Sequence, residues 1–553
     1  MLLVYTTGTI SFAFLTLLYP ASAAGTGPSV SLPYGTFQGS TTGNLTEFLG
    51  VPFAQAGRFE LPRAPALLPC IQNATEYGPA CPQQAISPFV LPFNYSGPTG
   101  VATYQSISED CLTLDIFKPS TANASANLPV LVWIYGGGFE TGNSRDTDVS
   151  PVVERSILTG EPVIVVTLNY RLTAFGFLAG QEVASAGITN LGLRDQIFGL
   201  DWVQQHIAAF GGDPQRVVVG GFSAGSISTG LLLLRNNRNS STLFRGAFML
   251  SGSPETCPSI ADGQVDYDGL VAANNCTSAA DTLACLRAVP FDAFMATVNK
   301  TADYFSYRSL NLVWRPRVDG DVIARDPLVS VSQGLYSQAP FMTGNDDDEG
   351  TVFTLPLANI TTDAEFVDYV HSNYFPSASA EQIAQIASLY PDNPSQGSPF
   401  DTGTADQLTP EYKRLAAFQG DSELIGPRRF FLEHASRRQD TWSWLNKRGK
   451  NTSPLGAFHV SDIPIFFPGN TTETTAVDAL VNFINTLDPN RSAGPATANL
   501  SIFWPKWNTP STTGSTSLLT FSDPGVVNVT AENFRVGAIQ YLNGLIFDEA
   551  LAK

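Results

Sequence analysis

The stretch RVVVGGFSAGSISTGLLLLR, residues 216–235, constrains the fold more than any other part of the chain. Its valines read as a buried strand, and SISTGLLLL reads as a helix. Only G-x-S-x-G lies between them to reverse the backbone. A turn that tight makes side chains at Gly221 and Gly225 collide with neighbouring backbone. It lifts the Ser223 hydroxyl above the sheet edge and sets it over a helix N-terminus, whose positive end favours developing negative charge. Taken alone, the pattern also fits a plain structural turn, so the rest of the chain must decide.

Other short apolar runs also read as buried strands: PVLVWIY ending at Tyr135, PVIVVTL ending at Leu168, then RGAFML and APFMTG. Helical periods lie between them. Leu193, Ile197, Leu200, Val203 and Ile207 recur at three- and four-residue steps and share one face. Asn190 is placed to cap that helix, and Gly211-Gly212 to end it. Alternating buried strands and amphipathic helices imply an α/β fold, with a central, mostly parallel sheet flanked by helices. No Pro/Ser linker divides the 553 residues, so one large domain with sizeable insertions is expected.

The chain is 43% apolar and only 14% charged, which argues against disorder. Its net charge of −19 disfavours nucleic acid and anionic membrane surfaces as partners. Ile10 to Leu18 is a short apolar run, followed by the small residues Ala21-Ser22-Ala23. Residues 1–23 therefore read as a secretory signal peptide, although the usual positive start is missing. The run is too short to span a bilayer, so no stable membrane anchor is expected. Thirteen of the thirty Asn stand in N-x-S/T, among them Asn44, Asn73, Asn123, Asn299, Asn359, Asn451 and Asn528. Chance gives about five, so N-glycans are expected. Six cysteines suit an oxidising compartment. Neither C-x-x-C nor H-E-x-x-H occurs, and no metal and no cofactor is expected.

A serine hydroxyl is a weak nucleophile without a base, and the base needs an orienting acid. Of four histidines, His206 falls inside the helix above, His434 in a charged helical stretch and His371 at a helix end. His459 instead follows the Gly-containing loop SPLGAFH, where functional side chains collect. Acids cluster in TGNDDDEG, where Asp346, Asp347, Asp348 and Glu349 follow a strand-like run. A solvated acidic loop is the plain reading, yet the order serine, acid, histidine fits an α/β-hydrolase arrangement. WIYGGGFETG supplies glycines after a strand, whose N–H groups can turn inward toward an oxyanion. A phosphate loop is the competing reading, but the Lys-Ser/Thr ending is absent.

With these residues in view, the chain resembles the type B carboxylesterases, which include the cholinesterases and fungal lipases of the Candida rugosa and Geotrichum type. FGGDPQRVVVGGFSAG and EDCLTLDIFKP carry the resemblance most specifically. NYRLTAFGFL, NLGLRDQ, QGSPFDTG and LGAFHVSDIP extend it over nearly all of residues 24–553, nearest to the fungal lipases. The resemblance implies an α/β-hydrolase fold and a secreted carboxylic ester hydrolase working through an acyl-enzyme. It implies Ser223 as nucleophile, His459 as base and Glu349, the glutamate of D-E-G, as orienting acid. It further implies oxyanion donors at Gly137, Gly138 and Ala224, and disulfides Cys81–Cys111 and Cys276–Cys285. Cys70 and Cys257 match nothing, and either pair or stay free. Arg58 and Glu109 match a structural ion pair, while Ile227, Val352 and Phe353 match an acyl-pocket region. A non-catalytic adhesion protein on the same fold ranks low, because such relatives typically lose a triad member.

Two departures from the family pattern stand out. Phe222 replaces the usual glutamate before the nucleophile, which makes the site floor more apolar and removes a charge that raises the histidine pKa. The segment between Cys81 and Cys111 is short, rich in Pro and Gly, and without Trp. That puts strong interfacial activation in doubt and makes a choline ester a poor fit, although Phe89, Val90, Leu91 and Phe93 keep the segment apolar. Gln419 and Ser422 fall where the lipases place apolar tunnel residues, which implies a shorter or wetter tunnel. A lipase or sterol esterase for long-chain esters and a feruloyl-type esterase are the alternatives within the class.

Overall fold

The computed structural model describes residues 27–87, 106–235, 242–469, 472–494, 500–508 and 514–552. The expected leader and residues 89–93 of the Cys81–Cys111 segment lie outside these residues. In chain order the strands are β1 (Ser29–Leu32), β2 (Gly35–Gln38), β3 (Ser40–Thr42), β4 (Leu45–Pro52), β5 (Ile71–Asn73), β6 (Thr113–Pro119) and β7 (Leu128–Ile134). They continue as β8 (Ile164–Leu168), β9 (Gly212–Phe222), β10 (Gly246–Leu250), β11 (Phe341–Asp346), β12 (Thr441–Asn446), β13 (Ser517–Ser522) and β14 (Val526–Ala531). A small sheet has the order β1-β2-β5, and an 11-stranded sheet the order β14-β13-β12-β11-β10-β9-β7-β8-β6-β4-β3. From β8 to β13 every pairing in the large sheet is parallel. The flanking pairings are antiparallel.

Each central strand is buried on both faces, which is why its sequence is a near-continuous apolar run. In β7, Val130, Val132 and Ile134 join one core cluster, while Leu131 and Trp133 join the other. The first cluster takes Leu193, Leu200 and Val203 from the helix Leu191–His206, and Leu231 and Leu232 from the helix Ala224–Leu234. The second takes Val152 and Val153 from the helix Ser150–Leu158 and Leu480 and Phe483 from the helix Thr475–Thr486. The sheet is therefore covered by helices on both faces, as the alternation of elements implied. A third cluster joins helices from the long connection between β11 and β12 to the C-terminal helix Val536–Ala552.

One helix end differs from the sequence reading. Asn190 does not cap the helix after it with its side chain, and its backbone is left-handed at φ 50°. Its amide instead donates to the Arg317 carbonyl at 2.8 Å and to Asp319 at 2.7 Å, and accepts from the Arg317 N–H at 3.0 Å. A long-range bond to a buried loop has displaced the local one. The other end is as expected, with Gly211 at φ 97° after a short 3-10 turn. Strand β12, TWSWLN, escaped the apolar-run criterion because buried Thr, Ser and Asn interrupt it.

Ser223 follows β9, Glu349 follows β11 and His459 follows β12. All three lie beyond the carboxyl ends of parallel strands, where an open α/β sheet leaves its crevice. Replacing Leu200, fully buried on the central helix, by Ala is expected to cost about 2–5 kcal/mol. Urea unfolding measures it.

Candidate active site

Ser223 sits at φ 52° and ψ −125°, a backbone conformation that L-residues rarely hold. Neighbouring elements enforce it. Its N–H donates to the Leu250 carbonyl at 2.9 Å, and its carbonyl accepts the Ile227 N–H at 2.9 Å. A side chain at Gly225 would strike the Ile134 carbonyl at the end of β7. One at Gly136 would come within 2.7 Å of the Ser223 Cβ. Two glycines thus let three chain segments meet around one hydroxyl.

Ser223 Oγ lies 2.9 Å from His459 Nε2, and His459 Nδ1 lies 2.6 Å from Glu349 Oε2. With the carboxylate accepting from Nδ1–H, Nε2 is left to accept the serine proton. His459 is 6% exposed and Glu349 1%, so both bonds are shielded from water. The second oxygen of Glu349 accepts from Asn345 Nδ2 at 2.7 Å and from the Asp346 N–H at 3.0 Å. Asn345 is in turn held by the Arg428 guanidinium at 2.5 Å. Arg428 is fully buried and also donates to Ser443 and Glu532.

The acidic run is not a solvated loop; all four carboxyls are buried, each with its own partners. Asp346 accepts from Asn446 at 2.7 Å and Ser461 at 2.8 Å. Burial and the nearby negative charges of Asp462 and Glu349 push its carboxyl well above the usual range. Burial opposes ionisation of Asp347 too, but Lys450 at 2.8 Å, with Arg535 and Lys447 beyond, holds it low. Asp348 accepts from Ser398, Phe400 N–H, Lys450 and Ala457 N–H, all within 3.0 Å. It therefore pins the segment that carries His459. Asp462 accepts from Trp444 at 2.9 Å, and burial, with the Glu349 charge nearby, pushes it up to about 7.

The loop after β7 turns back at Gly137 and Gly138, with φ of 95° and 62°. The Glu140 and Thr141 N–H groups both donate to the Gly137 carbonyl at 3.0 Å. Ala224 is the first residue of the helix behind Ser223 and is buried. Gly136, just before this turn, is the glycine of this loop whose Cβ would meet Ser223, while Gly137 packs against Thr141 and Gly138 against Tyr304.

The chain belongs to the carboxylesterase family. The model of that family matches residues 26–534. The chain is 36% identical to "Secreted lipase 1" of Botryotinia fuckeliana, over 95% of this chain and 94% of the relative. It is also 36% identical to "Lipase 4" of Diutina rugosa, over 96% and 97%. The crystal structure of Aspergillus niger EstA superposes with a TM-score of 0.79 at 25% identity, covering 94% of this chain and 98% of that one. The chain is accordingly a carboxylic ester hydrolase on an α/β-hydrolase fold.

In this carboxylesterase Phe353 packs on His459 with ring centres 4.9 Å apart, and Ile227 is buried one turn beyond Ser223. Val352 is half-buried against the larger core, and the Phe222 ring stacks 6.1 Å from Trp133. Gln419 is fully buried and bound to Ser309, Tyr369, Tyr374 and Thr354, a polar cluster that reaches the Phe353 carbonyl through Ser309 at 3.1 Å. Ser422 is buried beside it and donates to Glu423. Both expected disulfides are present, Cys81–Cys111 and Cys276–Cys285, while Cys70 and Cys257 are free. Arg58 and Glu109 form a two-pronged ion pair at 2.5 and 2.9 Å. The other histidines stand apart: His206 packs between Tyr34 and Trp202, His371 is exposed, and His434 contacts the Phe430 carbonyl rather than being fully solvated. Asn345, Arg428 and Asp462 support the site without any local sequence motif that marks them.

Asp348→Ala leaves Lys450 with Asp347 alone, strips the Ser398 hydroxyl and the Phe400 and Ala457 N–H groups of their acceptor, and so frees the His459 segment; a loss of about 1–3 kcal/mol is expected, together with a fall in kcat, from urea unfolding and ester assays. Asp462 keeps its proton to about pH 7 when folded, whereas an unfolded Asp loses it near pH 4. The folded chain binds more protons in that window, so this group's contribution is full below about pH 4 and is lost as pH rises through about 7. Asp462→Asn is expected to flatten that decline in unfolding measured across the window.

Proposed function

We propose that this ester hydrolase works by acyl transfer through Ser223. Ser223 Oγ attacks the ester carbonyl while His459 Nε2 takes its proton. The amides of Gly137, Gly138 and Ala224 hold the resulting oxyanion. His459 then returns the proton to the leaving alcohol, and Glu349 stabilises the imidazolium that forms between these steps. Water, deprotonated by the same imidazole, releases the acid from the acyl-enzyme. The observation that carries this reading is the unbroken bond chain from Glu349 through His459 to Ser223, at 2.6 and 2.9 Å.

The acyl group is proposed to lie against Ile227, Val352 and Phe353, on an apolar floor to which Phe222 contributes. The polar Gln419 cluster next to Phe353 is proposed to favour short and medium acyl chains over long ones. The names of the relatives favour the second reading, a lipase acting on long-chain esters. The leader-like N-terminus, two disulfides and the word "secreted" in one relative's name support export from the cell, with N-glycans on the surface.

A fluorophosphonate probe is expected to label the wild type and not Ser223→Ala, with ester hydrolysis lower by at least about 10³-fold in the variant. An unlabelled wild type overturns the mechanism. Among p-nitrophenyl esters from acetate to palmitate, butyrate is expected to outpace palmitate; faster turnover of palmitate and of triolein favours the lipase reading. Phe222→Glu puts a carboxylate next to Ser223, and a carboxylate there favours a nearby positive charge, so the acid limb of the kcat profile is expected to move to higher pH. An unmoved limb contradicts the assigned part of Phe222.

A further inference from the structure

Three of the N-x-S/T sequences, those of Asn44, Asn73 and Asn528, lie in or beside strands at the ends of the sheets. The large sheet ends in β3 on one side and β14 on the other, and the small sheet ends in β1 and β5. Asn44 is in the two-residue turn that joins β3 to β4, where Thr42 pairs with Leu45. Asn528 lies within β14, opposite Thr520 of β13. Asn73 is the last residue of β5. All three are exposed, and each has a Thr two residues on: Thr46, Thr530 and Thr75. The fourth end strand, β1, runs beside the 3-10 turn Ile207–Phe210.

A strand edge presents unpaired N–H and C=O groups to any other strand. Charged side chains, prolines, bulges or a covering element usually blunt it. Strand β14, VVNVTA, has no charge and no proline, and its register runs unbroken from Ser522↔Val526 to Ser517↔Ala531. Val526 is 40% exposed and Val529 41%. A short, uncharged, β-branched edge of this kind is prone to pair with copies of itself. In β5 the neighbour of the Asn73 site is Ile71, also exposed.

We propose that N-linked oligosaccharides on Asn44, Asn73 and Asn528 cap these strand ends and keep the exported chain monomeric. The donor is a lipid-diphosphate oligosaccharide of the secretory route. The Asn amide nitrogen forms a bond to its anomeric carbon, the carbon–oxygen bond to the lipid diphosphate breaks, and one amide proton is lost. Asn490, in Asn490-Arg491-Ser492, fits the same pattern but not the same role. Its amide donates to Asp488 at 3.1 Å and the Trp504 carbonyl at 2.9 Å, and accepts from the Trp504 N–H at 2.6 Å. Both amide hydrogens are used inside the fold, so this sequence stays unmodified in the folded chain.

The proposal rests on export and is independent of the catalytic reading. The chain is secreted from a eukaryotic host and mapped by peptide mass spectrometry after amidase release in heavy-oxygen water. Modification is expected at Asn44, Asn73 and Asn528 and not at Asn490. The triple variant Asn44→Gln, Asn73→Gln, Asn528→Gln, and wild type trimmed by an endoglycosidase after folding, are then heated mildly and followed by size-exclusion chromatography. Both are expected to lose the monomer peak to soluble aggregates while kcat/KM per folded molecule stays that of the wild type. Unmodified asparagines at the three sites, modification of Asn490 to the level of Asn528, or a trimmed protein as monomeric as the wild type would each overturn the proposal.

Discussion

Burying a carboxyl group requires hydrogen bonds, a neighbouring cation or a retained proton, and this chain buries four in succession at the end of β11. The solution at each position fixes a different neighbour. Asp346 takes β12 and the residue after His459's neighbour Val460; Asp347 takes the cations; Asp348 takes the loops at 398–400 and 450–457. Glu349 is then left with the imidazole of His459. The run fastens a long insertion and the histidine-bearing segment to one strand end, and the Glu349–His459 geometry is a consequence of that fastening.

The serine side obeys a second constraint, steric rather than electrostatic. Ser223 holds a positive φ because β9, β10 and the end of β7 leave no relaxed alternative. The hydroxyl is thus placed by packing of the sheet core, and the imidazole by hydrogen bonds around the acidic run. The two halves of the site rest on different forces, so a substitution that loosens one leaves the other in place.

How much of this was legible in the sequence depended on locality. The strand runs and the strand–turn–helix around G-x-S-x-G are local patterns, and the fold shows them as β7, β8, β9, β10 and β11 with a helix after Ser223. Glu349 was distinguishable from Asp346, Asp347 and Asp348 only by family resemblance, because nothing in the run itself says which carboxylate faces the histidine. Asn345, Arg428 and Asp462 were silent: their roles arise from contacts between segments up to more than a hundred residues apart in sequence. Asn190 misled for the same reason, since its side chain found a better partner in the loop at 317–319 than in its own helix. Strand β12 was hidden by buried polar residues that the site itself requires, with Ser443 holding Arg428 and Asn446 holding Asp346.

The most direct test of the central claim is a crystal structure of the protein after reaction with an alkyl phosphonate ester, a mimic of the tetrahedral intermediate. Phosphorus is expected to be bonded to Ser223 Oγ, with one phosphonyl oxygen about 3 Å from the amides of Gly137, Gly138 and Ala224 and the imidazole of His459 still on Glu349. An adduct on another residue, or an oxygen turned away from those amides, would contradict it.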